Sequence, residues 1–256
     1  MTIQLITFSL SHYCEKARWA LDWHGIPFRE VGWPPGLHMR LARRAGAPKS
    51  SLPILLTGES VIQGSDEIID WAEQQAPAGR PRLTPADDLE AARDIGQRAD
   101  KVLGVHVRRL IYAEVLPNQA HLAKPWLLLN TAPHHRVVGN LTWPLVRRLM
   151  IKAMDTRPEA APDSRARVES ELDWLDEQLS DGRSFLVGDR FSRADLTVAA
   201  LLAPLARPEE AHVYRAMRLP AALERDVERW RDRPAITWVR TIYGKCRRPG
   251  YHNGNP

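Results

Sequence analysis

The sequence predicts two domains, an α/β domain followed by an all-α domain. Over the first 80 residues, apolar runs and helical periodicity alternate in the order strand, helix, strand, strand, strand, helix. A segment rich in proline and glycine follows, and beyond it the periodicity is helical wherever it is clear. A chain of 256 residues has room for two domains of ordinary size.

The first half of the N-terminal domain is predicted to be a parallel strand–helix–strand unit. Thr2–Phe8 is rich in β-branched and apolar residues, as a buried strand is. Apolar residues recur at helical spacing from His12, and Gly25-Ile26-Pro27 ends this helix because proline cannot continue it. Phe28–Trp33 is the second strand, and the short connections favour a right-handed crossover between parallel strands.

The second half of this domain is predicted to be a hairpin and a helix. Residues 34–50 are irregular, with a short helix over His38–Ala45. The strands Leu52–Leu56 and Ser60–Ile62 flank a turn-forming segment. Ser65 is then expected to be the N-cap of a helix whose apolar residues share one face.

The all-helical domain is predicted to span residues 86–245, after the linker. A long amphipathic helix covers Leu89–Leu110, and further helices follow towards the C-terminus. Ser192–Asp195 resembles a capping box and opens a helix that is apolar nearly all round, which places it at the centre of the domain. Residues 113–160 are rich in proline and have no clear period, so we expect an irregular insertion there.

Composition and charge argue against several classes of function. The net charge of +5 is small, and its arginine pairs form no basic motif, so we expect no nucleic-acid partner. No apolar run approaches the ~20 residues that cross a bilayer, so we expect no membrane partner. Two cysteines and no secretory signal favour a cytoplasmic location. The adjacent His134-His135 lacks the spacing of metal ligands, so we expect no metal.

Three segments, taken together, resemble the glutathione S-transferase superfamily, in a bacterial type with a serine or cysteine motif. They are Ser11–Leu21 directly after the first strand, Ala47–Leu55 ending at a proline, and Gly64–Ile69. The capping box at Ser192–Asp195 also matches a feature of that superfamily's helical domain. The resemblance implies a thioredoxin-like first domain, a helical-bundle second domain, glutathione as cosubstrate and a homodimer.

The resemblance also implies where glutathione contacts the first domain. An extended tripeptide can pair its backbone with the strand edge at Leu52, beside a cis peptide bond before Pro53. Ser65, at a helix N-terminus, would hold the γ-glutamyl carboxylate. The superfamily often has an acidic or amide residue where Gly64 stands here, so the amino end falls to Gln63 or Asp66. The glycyl carboxylate is assigned to Lys49, with His38 and Arg40 as alternatives.

Ser11 is the first candidate for activating the glutathione thiol. A hydrogen bond to a charged sulfur contributes about 1.5–3 kcal/mol. A helix N-terminus adds roughly 0.3–1 kcal/mol. Together these lower a thiol pKa by about 1.3–3 units, enough to ionise most of the bound thiol at neutral pH. The alternative is that Ser11 only caps the first helix.

Cys14 is the second candidate, because the Ser11–Cys14 motif keeps only the second cysteine position of a dithiol motif. It permits a mixed disulfide with glutathione, or it is a small buried apolar side chain. Tyr13 is expected to line the cleft.

Three functions therefore stay open. The first is a detoxifying transferase that conjugates glutathione to a hydrophobic electrophile. The second is a glutathione-dependent thiol transferase or reductase acting through Cys14, and the third is a non-catalytic binding protein of the same fold.

Overall fold

The computed structural model describes residues 2–84 and 86–248. Two compact units divide the chain. Among the described residues, the first contains 2–81, 123–148 and Arg248, and the second contains 82–84, 86–122 and 149–247. The first unit contains the β-sheet, whereas the second is helical. A thioredoxin-like domain followed by a helical region is therefore the fold of this protein, as the sequence predicts.

The sheet of the first unit has four short strands in the order β2-β1-β3-β4. The strands are β1 (Gln4–Thr7), β2 (Arg29–Gly32), β3 (Ile54–Leu56) and β4 (Val61–Gln63). The β1 and β2 strands are parallel, while β3 pairs antiparallel with both β1 and β4. The predicted parallel unit and the predicted hairpin are both confirmed.

Three helices cover the two faces of this sheet: α1 (His12–Trp23), α2 (Leu37–Arg44) and α3 (Ser65–Gln75). Because side chains alternate along a strand, Leu5 faces α1 and α3 while its neighbour Ile6 faces α2. Apolar residues of α1 and α3, among them Leu21 and Ile68, share the first of these cores. The helix α1 therefore begins directly beyond the carboxyl end of the central strand β1.

The prediction of an irregular insertion at 113–160 is wrong, because two helices lie there. These are α6 (Ala120–Leu127) and α7 (Pro133–Ala153). Both have a proline inside the helix, which obscures the helical period in the sequence. The segment joins the edge strand β2, where the Gly32 N–H donates to the Asn130 carbonyl at 2.8 Å. A side chain at Gly139 would clash with Pro34, so α7 packs closely against the segment that follows β2.

The remaining helices build the second unit. They are α4 (Leu89–Arg98), α5 (Gly104–Val115), α8 (Ala161–Gln178), α9 (Arg193–Ala206), α10 (His212–Ala216), α11 (Ala221–Trp230) and α12 (Pro234–Cys246). Every residue of α9 is buried, and the predicted capping box at its start is present. The predicted long helix is interrupted by a π-helical turn at Ala99–Leu103. Across 2–84 and 86–248, no helix has the length and apolar character needed to cross a membrane.

Candidate functional site

The start of α1 places Ser11 beyond the carboxyl end of β1. Ser11 is the N-cap residue, with extended backbone angles, and its Oγ accepts a hydrogen bond from the Cys14 N–H at 3.3 Å. The residue is half-buried, so solvent still reaches it. A hydroxyl that accepts from a backbone N–H keeps its own O–H as a donor. Capping the helix and donating to a ligand sulfur are therefore compatible roles for Ser11.

Cys14, in contrast, is closed off from solvent. Its side chain is fully buried, and burial raises the pKa of its thiol, although the nearby Arg18 charge opposes this. The Arg18 guanidinium is itself buried, and it pairs with Glu30 at 2.7 Å and with Glu15 at 3.1 Å. The Cys14 thiol, the second candidate reactive group, thus lies among groups that fix α1 to the sheet. The sequence reading did not identify this ion-pair network, whose members are 3 and 12 residues apart.

The segment before β3 leaves backbone groups open to a ligand. The Leu52-Pro53 peptide bond is cis, which confirms the expectation drawn from the resemblance. The Pro53 carbonyl accepts from the Gly64 N–H at 3.1 Å, which ties this segment to the start of α3. Within the described part of the chain, neither backbone group of Leu52 has a hydrogen-bond partner. A half-buried N–H and C=O pair of this kind is what strand addition by a peptide requires.

Gln63 holds the loop before this segment in place. Its Oε1 accepts from the Lys49 N–H at 2.8 Å, while its Nε2 donates to the Lys49 carbonyl at 2.9 Å and the Ser51 carbonyl at 2.7 Å. Both ends of the amide are therefore occupied by the chain itself. The geometry gives Gln63 a positioning role, whereas the Lys49 side chain is exposed.

The start of α3 differs from its prediction. Gly64 is the N-cap residue, with φ of 115°, and Ser65 is the first helical residue. Only glycine adopts this φ without strain, so the cap falls one residue earlier than predicted. No side chain caps this helix, and the buried Ser65 makes no hydrogen bond through its hydroxyl to any described residue. The N-terminus of α3 therefore has N–H groups that no side chain caps, beside the unused Ser65 hydroxyl.

Two acids follow in the first turn of α3, and their surroundings differ. The Asp66 carboxylate pairs at 2.8 Å with Lys16, which is completely buried in α1. Glu67 is exposed and has no ion pair or hydrogen bond to the described residues. A Cβ atom at Gly64 would clash with the Glu67 carboxylate, so this carboxylate lies where a side chain of residue 64 would begin. The sequence reading missed Glu67, because only the folded turn brings its carboxylate back over Gly64.

His38 does not supply a cation near neutral pH. Burial lowers the pKa of its imidazole to about 4. Its Nδ1 accepts a hydrogen bond from the Gly36 N–H at 3.0 Å, and its ring packs edge-on against Phe8. This geometry favours Lys49 or Arg40, both exposed, over His38 as the partner of a ligand carboxylate. No group of three potential metal-ligating side chains occurs within residues 2–84 and 86–248.

Two family models match this chain. One is described as "Glutathione S-transferase, N-terminal domain" and matches residues 5–81. The other is described as "Glutathione S-transferase, C-terminal domain" and matches residues 158–238. Together they cover more than half of the chain and include all the site residues described above.

Comparison with individual proteins finds a similar fold at low sequence identity, and one partial match at higher identity. A maleylpyruvate isomerase of Ralstonia sp. is 34% identical over 87 residues, which cover 33% of this chain and 40% of that protein. A glutathione transferase structure from Phanerochaete chrysosporium has a TM-score of 0.68 and 16% identity, covering 95% of this chain and 96% of its own. A glutathione S-transferase of Ceriporiopsis subvermispora, solved with glutathione, has a TM-score of 0.68 and 14% identity, covering 98% and 100%. These structures support the fold.

Proposed function

Because the chain belongs to the glutathione S-transferase superfamily, we propose that it binds glutathione on its first unit and activates the thiol for attack on a hydrophobic electrophile. The observation that carries this proposal is the set of unused polar groups around one turn. The Leu52 backbone and the Ser65 hydroxyl have no hydrogen-bond partner among the described residues, and no side chain caps the start of α3. Unused buried or half-buried polar groups are costly, and a peptide ligand would satisfy them.

The γ-glutamyl end of the tripeptide has two matching groups. An anion at the start of α3 meets the first N–H groups of the helix and the Ser65 hydroxyl, which suits the γ-glutamyl carboxylate. The ligand's ammonium lies on the same carbon as that carboxylate and therefore needs an acid within a few ångströms. Asp66 is already paired with Lys16, and the amide of Gln63 is occupied. Glu67 is the acid left over, so we assign it the ammonium in place of Gln63 or Asp66.

Ser11 is the group proposed to activate the thiol. Its Oγ accepts from the Cys14 N–H and its O–H remains a donor, which the sulfur of bound glutathione would take over from the Cys14 sulfur. A donated hydrogen bond favours the thiolate over the thiol and lowers the thiol pKa. Tyr13, half-buried in the first turn of α1, is proposed to line the cleft. Thiol transfer through Cys14 is not favoured, because a disulfide substrate has no access to a fully buried sulfur.

The thiol titration of bound glutathione tests Ser11. The absorbance of the thiolate is followed against pH in the wild type, Ser11→Ala and Ser11→Thr. We expect Ser11→Ala to raise the pKa of the bound thiol by about one unit or more, and Ser11→Thr to keep it low. An unchanged titration in Ser11→Ala would remove Ser11 from this role. Failure of the wild type to bind glutathione at millimolar concentration would remove the whole proposal.

Isomerisation is the second candidate reaction, favoured by the 34% identity to a maleylpyruvate isomerase. The same thiolate can add to a carbon–carbon double bond, allow rotation about the resulting single bond and then leave. Conjugation consumes glutathione, whereas this sequence returns it. The concentration of free glutathione thiol during turnover therefore distinguishes the two reactions.

The proposed function also includes a cytoplasmic location, a homodimer and a role in detoxification.

A further inference from the structure

One face of α7 is apolar and exposed. The side chains of Val137, Val138, Leu141 and Leu145 are 57%, 40%, 76% and 61% exposed. Residues four apart lie on the same side of a helix, so these four form one continuous strip, which we call the α7 face. The opposite side of the helix is buried at Gly139 and Val146. Soluble proteins rarely leave large aliphatic side chains together in water without a partner for them.

The excess positive charge of the protein lies in the same part of the sequence. No acidic residue occurs between Glu114 and Asp155, a stretch that includes all of α6 and α7. The segment contains five cationic residues: Lys124, Arg136, Arg147, Arg148 and Lys152. This number equals the net charge of +5, so the rest of the chain is balanced. Basic residues occur throughout the sequence, but in this segment no acidic residue balances them.

The cations border the α7 face. Arg148 follows Leu141 by seven residues, which is two helical turns, and therefore lies on the same side of α7. Arg136 precedes the face by one residue, and both arginines are exposed. The helix thus combines aliphatic side chains with flanking guanidinium groups and carries no carboxylate.

We propose that the α7 face docks the protein on an anionic membrane surface, with the helix lying in the plane of the interface. Aliphatic side chains enter the boundary between headgroups and acyl chains, while the arginines contact lipid phosphates. A second copy of this chain is a poorer occupant, because pairing α7 with itself brings cations against cations. Nucleic acid would leave the aliphatic side chains in water. This proposal departs from the expectation of no membrane partner, which rested on the lack of an apolar run long enough to cross a bilayer; surface docking needs no such run.

Vesicle flotation of the full-length protein tests this proposal. The vesicles contain phosphatidylcholine alone or phosphatidylcholine mixed with phosphatidylglycerol. We expect binding to the mixed vesicles only, and we expect it to weaken as salt is raised. Leu141→Ser/Leu145→Ser and Arg136→Gln/Arg148→Gln should each reduce the bound fraction about tenfold or more.

Matched variants control for net charge and surface hydrophobicity. Arg218→Gln/Arg225→Gln removes two exposed charges elsewhere, and Leu89→Ser replaces an exposed leucine of α4. Both should bind vesicles like the wild type, and circular dichroism should show every variant folded. Absence of binding to mixed vesicles, or equal losses in the control variants, would overturn the proposal. Dissociation of a dimer by Leu141→Ser/Leu145→Ser in sedimentation would overturn it too, because the face would then be a subunit contact.

Discussion

The helices α1 and α3 both begin at a turn that carries a serine, and the two turns use that serine differently. Ser11 is the N-cap residue of α1, where its hydroxyl accepts from the chain. Ser65 is the first residue inside α3, and its hydroxyl is unused by the described chain. One helix end is thus closed by its own side chain, while the other is open to an anion. We infer that ligand affinity resides mainly at α3 and thiol activation at α1.

The acids of the two first turns differ in the same way. Glu15 of α1 is buried and pairs with Arg18 of the same helix. In α3, Asp66 reaches across to Lys16 of α1, and Glu67 stays exposed. The first turn of α3 therefore has one acid that holds the two helices together and one that is available to a ligand. Substitutions of Asp66, Ser65 and Glu67 separate the residue that holds the helices together from the residues proposed to bind the ligand.

Asp66→Asn should have the largest of the three effects, a loss of folding stability. The change removes the carboxylate that pairs with Lys16 at 2.8 Å, and the Lys16 side chain is completely buried. Breaking a buried ion pair by removing one partner costs about 3–5 kcal/mol. Because Asp66 is 39% exposed, we expect a loss of about 2–3 kcal/mol in the free energy of unfolding. Urea denaturation measures this loss. The control is Glu67→Gln, which removes the same charge and should leave the free energy of unfolding unchanged. An Asp66→Asn variant as stable as the wild type would show that the pair does not hold α3 to α1.

Ser65→Ala should have the next largest effect, a loss of affinity for glutathione. A hydrogen bond to a charged group contributes about 1.5–3 kcal/mol, so glutathione should bind at least about tenfold more weakly. Stability should change by less than about 0.5 kcal/mol, since Ser65 does not cap its helix. Ser11→Ala, which does remove a cap, should cost about 1 kcal/mol of stability instead. Calorimetric titration and urea denaturation measure the two quantities. Equal stability losses in both variants would contradict the different roles given to the two serines.

The fold of the first unit could be predicted because its signals are local. Each strand and helix carries its own periodicity, and Gly25-Ile26-Pro27 ends α1 as expected. The position of the cap on α3 could not be predicted in the same way. Glycine and serine are both good N-cap residues, and only the backbone φ at Gly64 decides between them. The helix α7 was missed because Pro144 lies within it and interrupts the expected pattern.

Two features of the candidate site could be predicted: the cis bond at Leu52-Pro53, which the resemblance implies, and the position of Ser11 at the start of α1. The site was not predictable where a role depends on which partners are already occupied. Gln63 has a suitable amide for a ligand, but residues 12 and 14 positions away use both of its ends. The carboxylate of Glu67 reaches Gly64 only because glycine leaves that space empty.

Glu67→Gln should have the smallest of the three effects, and it is the sharpest test of the open end of α3. The substitution keeps the size of the side chain and removes its charge, so the ammonium of glutathione loses an ionic partner. Glu67 is exposed, and an exposed ion pair contributes up to about 1 kcal/mol, which corresponds to about fivefold weaker binding. Glu59→Gln is the matched control, since Glu59 is an exposed acid on the β3–β4 turn. The loss should shrink at high salt and should be absent for a glutathione analogue that lacks the amino group. A similar loss with that analogue would mean that Glu67 acts on the backbone of the turn and not on the ammonium.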